Sequence, residues 1–473
     1  MTNFRLIYWS LWMGLLFLSA CSAPDFYGRI NTKVERQDYA SALKEINDNK
    51  SKYYPDKNAL LYFLDSGLLN HLAGNFNESN AAFEKAKLLA DDYYTKSVTK
   101  EMTTFLINDT MRPYYGEDFE RALIYLFKAL NYVCLGNPDE ALVEARQLNH
   151  FLQTLDQAVG GKNVYKEDAF GRYLMGIVWE AALSKEAKND ALIEYKNALS
   201  IYEANLKNYG TPAPLDVSKS IVRLAQELGF ADDVDWYSRK YNINKNKIPK
   251  IKEEIVLIHL NGPAPKKINH FIELTLGEGW ASAQSVKTTG KESTDVAQAQ
   301  SAMRAFSAKK TFKVAFPEYT QEPFNCNKID IEVSGGDFSG KTQPASNISL
   351  IAQKNLDDRI TRIRARAITR AWTKNLIALS VEEKTKKERG ELTGLLAGGL
   401  MRAAGSATEV ADLRAWQTLP ARIDIARIPV QPGTYHLRLL LKNASGNLIG
   451  EKVINDVKVE KNKKTFVTVR TLQ

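Results

Sequence analysis

The chain has 473 residues, 44% of them hydrophobic and 25% charged, with a formal net charge of +9. That composition excludes a chain too polar to bury a core and leaves room for two or three domains. Neither Cys134 nor Cys326 stands at metal-ligand spacing from a histidine, and no metal or other cofactor is expected. A pI of about 9.1 fits nucleic acid, anionic lipid or a solvated basic surface equally well.

The chain begins with a leader carrying Arg5, an apolar run at 6–17, and then Leu18, Ser19, Ala20 and Cys21. The run falls short of the about 20 apolar residues that a membrane-crossing helix needs. A charged leader, a short apolar core and a small-residue site predict a cleaved signal peptide over 1–20. The four residues before and at the cut resemble the bacterial lipobox. That resemblance implies that Cys21 is lipidated on its thiol and acylated on the new N-terminus. More than one acyl chain is what makes anchoring stable. Ser22 after the cysteine is similar to the outer-membrane sorting pattern. The expected product is an outer-membrane lipoprotein facing the periplasm, with 21–26 as a tether. The leader removes only Arg5, so the mature charge is +9 less one, or +8. Outside the cytosol, nucleic acid is not an expected partner.

From 27 to 241 apolar residues recur at three and four, which predicts amphipathic helices. Self-similarity lies on top of that. One copy holds Gly67, Gly74, Phe76, Ser79, Phe83 and Ala86; a second holds Ala129, Tyr132, Gly136, Ala141 and Ala145. A third holds Gly176, Trp179, Ala191, Tyr195 and Ala198, with about three extra residues in its turn. Tyr39, Ala42 and Ile46 make a half-copy, and a helix over 217–228 closes the array. The spacing resembles the tetratricopeptide repeat and implies an all-α helical solenoid, a fold that binds partners. Stretches at 92–121 and 149–169 read as insertions. The inner wall of such a solenoid holds Leu61, Leu64 and Leu68, then Leu123, Leu126 and Leu130, then Phe170, Tyr173 and Ile177. Nine apolar residues exceed what a monomer leaves bare. The wall is therefore the candidate partner groove, covered by a partner's apolar helix or tail or by the chain's own later helices.

A polar, lysine-rich stretch at 242–252 reads as a linker to an α+β domain over 253–473. Strands are expected at 255–260, 271–274, 312–316, 328–333, 421–428, 434–441, 448–460 and 465–471, with a short helix at 296–306. Hairpin turns at Pro432-Gly433 and at 443–447 suggest an antiparallel, sandwich-like sheet. A long helix over 356–388 carries Arg359, Arg362, Arg366 and Arg370 at three- and four-residue steps. They read as a solvated basic face, or as a cradle for an anionic group. A Gly- and Ala-rich run at 392–408 predicts a tight helical hairpin or a segment that grazes the membrane. The stretch from Gly335 to Thr342 matches the phosphate-loop pattern. Its strand alternates like a half-exposed antiparallel one, so a hairpin turn is expected and no nucleotide. The runs 115–145, 189–198, 411–420 and 432–435 are similar to a family of largely uncharacterised bacterial lipoproteins with degenerate tetratricopeptide repeats. That family implies an envelope protein and names no catalytic residues.

Two functions remain open on this reading. The first is a non-enzymatic scaffold or accessory factor that holds an envelope protein partner, in cell-wall synthesis or secretion for instance. The second is an enzyme acting on peptidoglycan or lipid through a C-terminal cleft with two carboxylates about 5–9 Å apart.

Overall fold

The computed structural model describes residues 26–100, 109–158, 165–182, 184–276, 310–335, 338–391, 393 and 410–473. The lipobox, the expected helix at 296–306 and nearly all of the run at 392–408 lie outside them. Among the described residues, eleven helices fill the first half. They are α1 (Phe26–Glu35), α2 (Tyr39–Asp48), the short α3 (Lys50–Tyr53), α4 (Ala59–Leu72), α5 (Phe76–Lys100) and α6 (Asp118–Cys134). Then come α7 (Pro138–Ala158), α8 (Ala169–Ala181), α9 (Lys185–Tyr209), α10 (Leu215–Leu228) and α11 (Ala231–Lys240).

These pack as successive hairpins: α1 with α2, α4 with α5, α6 with α7, α8 with α9 and α10 with α11. The hairpin turns share one chemistry. At Gly74 (φ +78) and Gly136 (φ +76) the chain enters the left-handed region, which glycine adopts without a Cβ penalty. The next amide then reaches back, Asn75 N to Asn70 O and Asn137 N to Tyr132 O, both 2.9 Å. Gln37 takes the same conformation between α1 and α2, with Asp38 N donating to Lys33 O. Within the hairpins a small residue faces an aromatic one. A Cβ on Gly67 would lie 2.6 Å from the Phe83 ring, and one on Gly176 would lie 2.5 Å from the Tyr195 ring. Only glycine lets those helices approach so closely. Helices α5 and α7 continue to Lys100 and Ala158, so both expected insertions begin as helix.

The second half contributes β1 (Glu254–Pro263), β2 (Lys266–Leu276), β3 (Lys310–Thr320), β4 (Lys328–Val333), β5 (Ser339–Lys341) and β6 (Gln343–Ser346). The long α12 (Ile348–Arg389) follows, then β7 (Pro420–Pro429), β8 (Gly433–Lys442), β9 (Leu448–Val459) and β10 (Lys464–Thr471). Helix α12 starts eight residues before the expected position, because Asn347 caps it by accepting from Leu350 N. One sheet has the order β10-β1-β7-β6, a second β5-β4-β8-β9, and β2 pairs with β3 as a ribbon. The expected all-antiparallel sheet needs one correction. Strands β1 and β10 run parallel, Glu254 opposite Lys464 and Asn261 opposite Thr471, because the chain crosses from the second sheet into the first after β9.

Strand β1 is buried along its whole length, and its alternation shows why. Ile255 and Leu257 meet the second sheet across a sandwich core with Ile331, Leu437 and Leu439. Val256, Ile258 and Leu260 point the other way, into the core that the helices build. The molecule therefore has three layers: helical hairpins, first sheet, second sheet. The helical and sheet-containing regions are distinct along the chain, yet they share one continuous apolar core.

Candidate functional site

All nine residues of the expected groove are buried, and the chain itself buries them. Ile258 and Leu260 of β1 and Ile423 and Ile425 of β7 belong to the same cluster as Leu61, Leu64, Leu68, Leu123, Leu126, Leu130, Phe170, Tyr173 and Ile177. Trp416, in the segment leading to β7, packs edge-to-face on the stacked pair Phe83 and Phe127, with ring centroids 5.7 and 5.8 Å away. Its backbone N donates to Glu120 at 2.7 Å and its Nε1 to Thr418 Oγ1 at 2.9 Å. Thr418 in turn donates to Asp65 at 2.8 Å. The partner groove is thus corrected to an internal wall. Apolar residues there needed a cover, and the chain's own sheet and Trp416 supply it.

The arginine cradle is also corrected. Arg359 is committed to Glu117 and lies 3.6 Å from Asp118, while Arg370 is buried. Arg366 is half-buried beside the Tyr115 phenol, and of the four only Arg362 is fully exposed. A three-and-four stripe on a helix gives a shared face, but this face turns inward at both ends.

Glu117 is where three elements meet. It precedes α6 and pairs with Lys267 of β2 and Arg359 of α12. Burial pushes its carboxyl up, but those two cations prevail and hold it at about 2. Glu120, one turn on, goes the other way. Burial raises it to about 7 against the pull of Lys267, and the Glu117 charge adds to the rise. Glu120 accepts from Tyr114 Oη at 2.5 Å, from Glu117 N at 3.0 Å and from Trp416 N. Two carboxylates with divergent affinities for a proton suggest acid–base chemistry. Here Tyr114, Tyr319 and Trp416 fill the space a substrate would need, and all three are buried.

A second knot lies on the helical face of the first sheet. Glu180 of α8 meets Arg427 at 3.0 Å, Lys464 at 3.1 Å and Arg223 at 2.8 Å. Glu254 meets the same Arg427 at 2.6 Å and Lys464 at 2.5 Å. None of these side chains is more than 4% exposed. Tyr195 donates to Glu180 at 2.7 Å and accepts from Arg427 at 3.0 Å. Buried charges persist only when paired and hydrogen-bonded, and this set fastens α8, α9 and α10 to β1, β7 and β10.

Thr471, His259 and Asp424 line up like a nucleophile, base and orienting acid, with His259 Nε2 2.8 Å from Thr471 Oγ1 and Nδ1 3.3 Å from Asp424. The alignment is sealed between the sheets, every member buried. At the phosphate-loop match the expected hairpin is present: β5 pairs antiparallel with β4, Lys341 opposite Asp330. Thr342 is buried and accepts from Ile329 N at 2.8 Å. Among the described residues, no cluster of His, Cys, Asp and Glu could hold a metal ion, and no helix is long and apolar enough to cross a membrane.

What lies open is the outer side of the hairpins. Val143 and Trp236 each follow their turn glycine by the same step as Ala81, and Ile193 precedes Tyr195 as Ala81 precedes Phe83. These equivalent positions are exposed, at 46% for Val143 and Ile193 and 49% for Trp236. Leu88, two turns beyond Ala81, is 60% exposed. Sequence reading missed this outer row, although equal steps from the turn glycines mark it. It also missed Trp416 and Glu117, for which an isolated tryptophan and a helix-capping acid are the only signals.

No family model matches the chain, and no curated protein matches it. Among solved structures, it is similar to the crystal structure of BtubC (BKLC) from P. vanneervenii. The likeness has 13% identity and a TM-score of 0.31, over 46% of this chain and 77% of that one. It is too slight to bear on fold or function.

Proposed function

We propose that the protein is a non-enzymatic envelope lipoprotein, anchored in the outer membrane through Cys21, whose tetratricopeptide-like array holds a protein partner on its outer face. The observation that carries the reading is the repeated, half-exposed apolar position at Val143, Ile193 and Trp236. Three such residues recur at equivalent places on successive hairpins, so a partner spanning the array would meet one apolar contact per repeat. The Gly67–Phe83 and Gly176–Tyr195 interlocks support the repeat assignment. The inner wall is filled, so the array does not work by laying a peptide in its concave side. The sheet layers brace the helices as a rigid platform, suited to an accessory role in an envelope assembly such as cell-wall synthesis or secretion.

The test has two arms. Cys21→Ala should leave the protein out of the detergent-extracted membrane fraction or stalled with its leader uncut. Val143→Arg with Ile193→Arg should melt as the parent does and lose its crosslinked partner in intact cells. A doubly substituted protein that keeps every crosslink would remove the outer face from the account.

A further inference from the structure

The loop between β3 and β4, residues 321–327, folds over the ends of β1 and β7 and leaves an open pocket of about 390 Å3. Its floor is built from backbone and aromatic ring. Phe324 lies so close to Gly262 that a Cβ there would fall 2.6 Å from the ring, and Gly262 holds φ +70. Asn261 Nδ2 donates to Cys326 O at 2.9 Å and fixes the loop from beneath. Gln321, Asn325 and Asn327 stand exposed around the rim, and the carboxylate of Glu322, also on it, is engaged by Lys266 of β2.

Arg422 forms one wall, and it is held from behind. Its Nε donates to Asp424 Oδ1 at 2.6 Å, and its Nη2 donates to Asp424 Oδ2 at 3.0 Å and to Asn327 O at 2.5 Å. Asp424 is itself locked, receiving Asn261 Nδ2 at 3.1 Å and facing His259 Nδ1 at 3.3 Å. One edge of the guanidinium is thereby spent, and Nη1, which no described residue engages, is the donor left for the pocket. A fork fixed in advance loses little freedom when an oxyanion arrives. Phe324 lies beside it, its ring centroid 5.9 Å from the guanidinium carbon.

A cation, an aromatic plate and a rim of planar amides make a particular combination. The amides match hydroxyl and acetamido groups, the ring matches the C–H face of a pyranose, and Arg422 matches a carboxylate. The volume lies within the range of small-molecule sites. We propose that this pocket binds a carboxylate-bearing monosaccharide, its carboxylate on Arg422 Nη1 and its ring face on Phe324. The pocket is remote from Val143 and its counterparts in sequence and fold, and either reading can fail alone.

Calorimetric titration of the mature protein tests this with four probes: N-acetylmuramic acid, glucuronic acid, N-acetylglucosamine and D-lactate. One of the two acidic sugars should bind at least about tenfold tighter than the neutral sugar, which lacks the carboxylate, and than lactate, which lacks the ring. Arg422→Gln should abolish that preference, and Phe324→Leu, which keeps an apolar side chain against Gly262 but removes the ring, should weaken the acidic sugar by a similar factor. Absence of binding by both acidic sugars overturns the proposal. So does equal binding of all four probes, or an acidic sugar that binds Phe324→Leu as it binds the parent.

Discussion

Asp65 and Glu120 are buried carboxyls on α4 and α6, and one segment, Trp416 to Thr418, donates to both. Burial raises Asp65 to about 6 and Glu120 to about 7. A folded carboxyl with a raised pKa keeps a proton the unfolded chain has released, so its contribution to stability grows as pH falls toward the ordinary carboxylate range. Glu117, Glu180, Glu254 and Asp424 behave in the opposite sense. Burial opposes their charge, but neighbouring cations and hydrogen bonds prevail and lower them. Their contribution is present above the ordinary carboxylate range and lost as pH falls through their depressed values. Each tenfold difference in proton affinity between the folded and unfolded chain is worth about 1.4 kcal/mol. Buried His71, held down at about 4, and His259, also lowered by burial, work against the raised carboxyls as pH falls from 7.5 to 5, because the unfolded chain protonates its histidines there. The carboxyl contribution is therefore read as a difference: over that interval the parent should gain about 2 kcal/mol relative to Glu120→Gln, while both lose stability below about pH 4. Equal pH dependence of the two proteins from pH 7.5 to 5 would contradict the raised proton affinity of Glu120.

At the scale of elements, Trp416 and the hairpin turns differ in how they are written in the sequence. The turns are local: a glycine at a helix end and an aromatic residue that needs a small partner are visible at Gly74, Gly136, Gly67 and Phe83 without any knowledge of the fold. Strand positions were legible for the same reason, since alternation and turn residues lie within a few positions of each other. The cover of the inner wall is not local. Leu126 looks the same whether a partner or β1 packs on it, and 290 residues separate it from Trp416. Likewise the step from Arg359 to Arg370 places them on one helix face, but what that face meets is decided by Glu117, far upstream. Trp416→Ala should expose this difference. It removes a ring packed against Phe83 and Phe127 and should cost about 3–5 kcal/mol, read by denaturant unfolding. A loss below about 1 kcal/mol would mean that Trp416 decorates the wall and does not close it.

At the scale of the molecule, the chain covers its own inner helical wall with the first sheet and Trp416 and leaves the other side of the hairpins exposed. One charge knot, around Glu180, holds the first sheet to the helices, and another, around Glu117, ties the start of α6 to the β2–β3 ribbon and α12. Three layers fastened this way make a single cooperative body, and on the proposed function a partner would meet the outer side of the hairpins, where Val143, Ile193 and Trp236 are exposed. Thiol labelling of the native protein measures that arrangement most directly. In a background with Cys134 and Cys326 replaced by alanine, Val143→Cys and Leu126→Cys are each exposed to a water-soluble maleimide. Prompt labelling is expected at position 143, with protection at position 126 until denaturant unfolds the chain. Equal labelling of both sites in the native protein would contradict it.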